Sequence, residues 1–154
     1  MPESKRYADS AAEYGVLLGR YNTVLDELFT GQEVYLVTCD WSDRPEPGAR
    51  PAEHIEWHPG AEHWTSVCAD PAEDDPYYTH LFVSRISWRI GVIDDLLRAV
   101  ADDATAGVMV ADSELRRIHH PYDGGADVLL PTRAERDLLR NRHADWLSSH
   151  PEGL

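Results

Sequence analysis

Thirteen residues, Ile118 to Leu130 (IHHPYDGGADVLL), constrain the fold of this chain more than any other stretch. Two extended runs flank Asp123-Gly124-Gly125, and a Gly-Gly or Asp-Gly pair supplies the positive φ that a tight two-residue turn requires. An antiparallel hairpin over residues 116–130 is therefore expected, with Gly124 and Gly125 at its tip. In that register Asp123 faces Ala126, Tyr122 faces Asp127 and His120 faces Leu129, which gathers His120, Tyr122, Asp123 and Asp127 at one end. Pro121 cannot donate to a ladder, so its strand is expected at a sheet edge.

Elsewhere the hydrophobic period marks the elements. Tyr14, Leu17, Leu18, Tyr21, Val24, Leu25, Leu28 and Phe29 recur at helical spacing and predict a helix ended by Gly31. Glu33 to Asp40 is β-branched and aromatic and reads as a core strand. Pro45, Pro47, Gly48 and Pro51 make a surface loop. His54–His58 and Trp64–Cys68 read as two strands joined at Pro59-Gly60, with Trp57 and Trp64 facing inward, and Tyr77–Ser87 as a long strand. Ile90–Ala101 returns to helical spacing, and Gly107–Ala111 is a short strand before the hairpin. Thr132 to Glu135 is a capping box that opens a last helix burying Leu138, Leu139, Trp146 and Leu147. This order predicts a single α+β domain over residues 1–154, a mainly antiparallel sheet packed with N-terminal, middle and C-terminal helices.

The length is that of one domain, able to bury roughly 70% of its unfolded surface. With 28 acidic against 14 basic residues the formal charge is −14. Such a surface repels phosphate backbones and anionic lipid, which argues against nucleic acid and membrane and favours a basic protein partner. Residues 41–80 form the acidic pole, with 9 acidic and 2 basic residues. Cys39 and Cys68 lie in no CxxC pattern and are expected to be reduced thiols. No apolar run approaches a membrane span, and the N-terminus lacks an apolar leader core, so a cytoplasmic location is expected.

The succession of an EVYLVT strand, a YYTHLFVSRIS strand, a DDLLRAVAD helix, the HHPYDGGADVLL hairpin and a final LLRNRHADWLSSHPEGL helix resembles the bacterial domain of unknown function 3885 family. The resemblance covers most of the chain. The family's hairpin is similar to His-x-Tyr-Asp-Asp-Arg-Gly-x-Asp, which His120, Tyr122, Asp123, one of the glycines and Asp127 match. The turn here is one residue shorter and lacks the second Asp and the Arg. Trp146 matches an aromatic of the family's last helix. The resemblance implies the fold and carries no activity with it.

Three constellations invite chemistry. In a strand, His54, Glu56 and His58 would share one face, and imidazole and carboxylate at alternating positions can ligate zinc or iron, with His63 joining from a neighbouring strand. Alternation alone also explains that pattern, and no metal or other cofactor is expected. At the hairpin, His120 with Asp123 or Asp127 would suit acid–base work, whereas turn chemistry alone explains the Asp-Gly-Gly. No HExxH and no nucleophile elbow is present. Finally, Trp41, Tyr77 and Tyr78 cluster in the acidic middle, and exposed aromatics are enriched at the centres of protein-binding surfaces.

The sequence therefore points to a non-enzymatic acidic binding module, an immunity or antitoxin-like protein that neutralises a basic partner. Its expected binding residues are Trp41, Glu73, Asp74 and Asp75 with Tyr122, Asp123 and Asp127 of the hairpin. A small enzyme or metalloprotein using a His/Glu/Asp cluster is the competing reading, and a homo-oligomeric scaffold is a third. The acidic run at 70–75 bears on binding only if it lies beside exposed aromatics.

Overall fold

A computed structural model describes residues 10–146. Helix α1 (Ala11–Phe29) opens at Ser10, whose hydroxyl accepts the Glu13 N–H at 3.2 Å, and it closes at Thr30 before Gly31 at φ +71°. The remaining elements are β1 (Glu33–Ser42), α2 (Ala52–Trp57), β2 (Glu62–Cys68), β3 (Tyr78–Ser87), α3 (Asp94–Ala101), β4 (Met109–Asp112), β5 (Ile118–Tyr122), β6 (Gly125–Leu129) and α4 (Arg133–Arg142). The six strands form one sheet in the order β2-β3-β1-β4-β5-β6, with every neighbouring pair antiparallel. The expected α+β architecture is the one observed.

Register divides the sheet into two unlike faces. Val34, Leu36, Thr38, Asp40 and Ser42 share one face with their β3 partners Ile86, Ser84, Phe82, His80 and Tyr78. Helices α1 and α3 cover the Val34 and Leu36 half, burying Leu25, Phe29, Leu96, Leu97 and Val100 against it. Asn22 locks the two helices, donating to Asp94 Oδ1 at 2.7 Å and accepting the Gly91 N–H at 2.9 Å. Helix α2 covers the polar half of the same face. The opposite face, which carries Tyr35, Val37, Cys39 and Trp41, is covered by none of the described helices.

Several expectations need correction. Residues 54–58 are not a strand but the body of α2 and the residue after it. Five residues are too short a window to separate the two periods, and Pro51 at the helix start, followed by Ala52 and Glu53, favours the helix. Trp64 is the residue inserted by a bulge between His63 and Thr65, and it is 58% exposed rather than packed inward. Trp57 is half-buried against the core, as expected.

The hairpin forms, but its turn is Asp123-Gly124, so that Tyr122 pairs with Gly125 and His120 with Asp127. Only Gly124 needs positive φ (+94°), while the Tyr122 side chain lies across Gly125, its hydroxyl 3.0 Å and its ring 3.1 Å from where a Cβ would stand. The expected and observed registers differ by two residues across the ladder. They put the same side chains on the same face, so hydrophobic alternation cannot choose between them. Strand β5 is also internal rather than an edge, with Pro121 tolerated because the β4 pairing stops at Val110 and His119.

At α4, Thr132 accepts the Glu135 N–H at 3.2 Å, but the Glu135 carboxylate turns to Arg117 at 2.8 Å, so the box is half formed. The helix has no buried residue, Leu138 is exposed, and Leu147 lies outside the described residues.

Candidate functional site

The acidic run lies in the connection between β2 and β3. Because Cys68 and Ser42 both pair with Tyr78, this connection emerges at the same end of the sheet as the C-terminal end of β1. Asp70, Glu73, Asp74 and Asp75 therefore lie at the same end of the sheet as Trp41 and lead directly into Tyr77, the two aromatics being 37% and 60% exposed. The loop is locally ordered, with Asp70 accepting the Ala72 N–H at 3.0 Å and its backbone carbonyl accepting the Glu73 N–H at 3.3 Å. Asp43 and Glu46 leave β1 at this end too. Val67, 52% exposed, continues the surface onto the helix-free face of the sheet.

The second expected group is split between turn and strand. His120 and Asp127 stand opposite each other on the helix-free face, and Tyr122 lies two residues along from His120 with its ring edge-on at 6.3 Å. Burial raises the Tyr122 hydroxyl above its ordinary pKa, and the carboxylates of Asp127 and Asp123 raise it further. Asp123 itself occupies the turn. Tyr21 reaches over from α1 to the Tyr122 and Gly125 carbonyls at 2.9 and 3.0 Å, which fixes the hairpin against the helix layer.

The expected metal group is dispersed. Glu56 is exposed on the outer side of α2, whereas His54 and His58, one helical turn apart, face the sheet and are already engaged. His54 Nδ1 contacts Asp40, and Arg50 grips the same carboxylate at 2.9 and 3.2 Å while stacking 4.0 Å above the Phe82 ring. Burial alone would raise the Asp40 carboxyl, but hydrogen bonds from Arg50 and His54 outweigh it and hold the group below the ordinary carboxylate range. His58 is buried between Thr38 and Ser84, each at 2.7 Å, and burial followed by the Arg50 charge brings it down to about 4. Among the described residues, no three His, Cys, Asp or Glu side chains form a metal-holding group.

One polar network was not anticipated from sequence. Ser42 donates to the Arg44 carbonyl at 3.1 Å, so it accepts from His80 Nε2 at 2.7 Å; His80 Nδ1 then accepts the Ser66 hydroxyl proton at 2.6 Å. His63 donates to Ser66 at 2.9 Å and completes the chain. With His80 only 1% exposed and both its nitrogens satisfied, this chain ties β2, β3 and β1 together beneath the acidic end. Its only sequence signal is the even spacing of polar side chains on three strands, which is visible only once the register is known.

The model of a family described as Domain of unknown function (DUF3885) matches residues 1–151. No curated protein matches the chain, and no solved structure does. No described helix is long and apolar enough to cross a membrane.

Proposed function

The chain belongs to the DUF3885 family, and from that premise we propose that it is a non-enzymatic acidic protein-binding module, immunity or antitoxin-like, that occludes a basic partner. The carrying observation is that the Asp70–Asp75 loop leads into exposed Tyr77 and emerges at the same end of the sheet as exposed Trp41, whose face no described helix covers. Aromatic side chains of this kind are the usual anchors of interfaces, and their truncation costs about 2 kcal/mol or more. Carboxylates around them steer a basic partner and reject acidic ones, which sets on-rate and specificity. The net charge of −14 extends the same attraction over the whole surface.

The buried histidines favour this reading over catalysis by the same end of the sheet. His58 and His80 each have both ring nitrogens engaged by hydroxyls, so they serve as struts for the surface. The test is capture of partners from the source cell at low salt, on wild type and on the E73Q/D74N/D75N variant in parallel. A protein of net positive charge retained by wild type and depleted on the variant supports the proposal. Capture that is equal on both, or confined to acidic proteins, overturns it.

A further inference from the structure

Helix α4 is held to the rest of the molecule at its two ends rather than along its length. Near its start Glu135 meets Arg117, and at its end Arg142 and His143 meet Glu27 of α1 at 2.8 and 2.7 Å. Between these tethers, α4, α1 and the inner face of the hairpin line a half-open cavity of about 370 Å³. That volume lies within the range of small-molecule sites. Its wall is mainly apolar, built by Leu17, Val24, Val128, Leu130, Leu139 and Trp146.

Two further features are unusual for such a wall. Arg20, Arg136 and Arg140 line it in a chain with twice as many acidic as basic residues, and among the described residues Arg20 and Arg140 form no ion pair. Arg20 lies instead over the Trp146 ring at 5.5 Å, and Arg136 pairs with its neighbour Asp137. The hairpin contributes His119, 1% exposed, whose Nδ1 is buried without a hydrogen-bond partner. Leaving such an atom unsatisfied costs its desolvation penalty, and a polar ligand atom would recover it.

We propose that this cavity binds a small apolar carboxylic acid, its hydrocarbon body against the Leu, Val and Trp wall and its carboxylate on Arg20 and Arg140, with His119 Nδ1 offering one buried polar contact. Guanidinium groups suit this task because their planar fork matches a carboxylate in two parallel hydrogen bonds. The site is separate from the acidic end of the sheet, so its occupancy and partner binding are tested independently.

Decanoate is the probe, with decanol as its uncharged analogue, titrated calorimetrically into the full chain. Saturable binding of one decanoate per chain is expected, with decanol at least tenfold weaker. The R20Q/R140Q variant should lose at least tenfold for decanoate and change less than twofold for decanol. Leu139→Trp, which fills the cavity from a helix with no buried residue, should abolish binding of both while circular dichroism and thermal unfolding stay as in wild type. If it fails to fold, Val24→Phe fills the cavity from the α1 side and serves the same purpose. Absence of saturable binding overturns the proposal. So do equal affinities for decanoate and decanol, or an unchanged decanoate affinity in R20Q/R140Q or in the folded filling variant.

Discussion

Acid should destabilise this protein at a higher pH than its carboxylates alone would dictate. His58 and His119 are each brought from an ordinary 6.5 down to about 4, by burial first and then by the neighbouring charge of Arg50 and His120 respectively. Between those values the folded state keeps both rings neutral, whereas the unfolded chain protonates them. The unfolded state therefore binds more protons, and stability falls as pH falls through 6.5 toward 4; the slope fades about one pH unit above 6.5. A separation of that size between the folded and unfolded values is worth on the order of 3 kcal/mol per group, so the pair removes several kcal/mol from a stability that is ordinarily about 5–15. Asp40 acts lower: its depressed carboxyl gives stability that is present above the ordinary Asp value and lost only as pH falls through its own. Urea unfolding followed by circular dichroism at pH 7.5, 6.5, 5.5 and 4.5 measures the effect. The free energy should change by less than about 1 kcal/mol between the first two and then fall by roughly 2–3 kcal/mol per pH unit. His119→Phe should halve that slope. A flat profile down to pH 4.5, or a wild-type slope in the His119→Phe variant, would refute the assignment of two buried neutral imidazoles.

Gly107 has φ +72°, and a Cβ there would meet the buried Cys39 Sγ at 2.8 Å, so Gly107→Ala should cost about 1–3 kcal/mol by urea unfolding. An unchanged midpoint would mean that the 102–108 connection does not rest on β1. Gly124→Ala, at φ +94°, should cost about 1 kcal/mol; wild-type stability would put the turn elsewhere. Untagged, dialysed protein should carry well under one zinc or iron per chain by elemental analysis, because His58 is already engaged at both nitrogens. Near one metal per chain, lost in His54→Ala/His58→Ala, would return the metalloprotein reading.

The long elements were readable because their hydrophobic period runs over many residues. Helix α1 and strand β3 show it, their buried side chains falling where 3.6- and 2-residue spacing put them, while β1 is a continuous run buried on both faces from Leu36 to Cys39. Errors arose where the pattern was short or degenerate. His54-Ile-Glu-Trp-His58 fits either period, and what decides it is Pro51 together with tertiary bonds to Asp40, Thr38 and Ser84 that no local window contains. The hairpin register was hidden by a two-residue slide that leaves every face unchanged. The acidic end was half visible. Its charge could be read from composition, but its place at the same end of the sheet as Trp41 depends on β1 and β2 both ending against Tyr78. The His119 cavity had no signal at all, since it arises from three separate elements.

The binding account rests on one surface, and amide hydrogen exchange on the complex with the recombinant captured partner tests it most directly. Slowed exchange should concentrate in residues 40–46 and 67–79, which carry Trp41, Tyr77 and the Asp70–Asp75 loop. In the E73Q/D74N/D75N variant the association rate at low salt should fall several-fold and lose most of its salt dependence, with folding stability unchanged. Protection confined to α1, α3 or α4, or a variant that associates at the wild-type rate, would contradict the account.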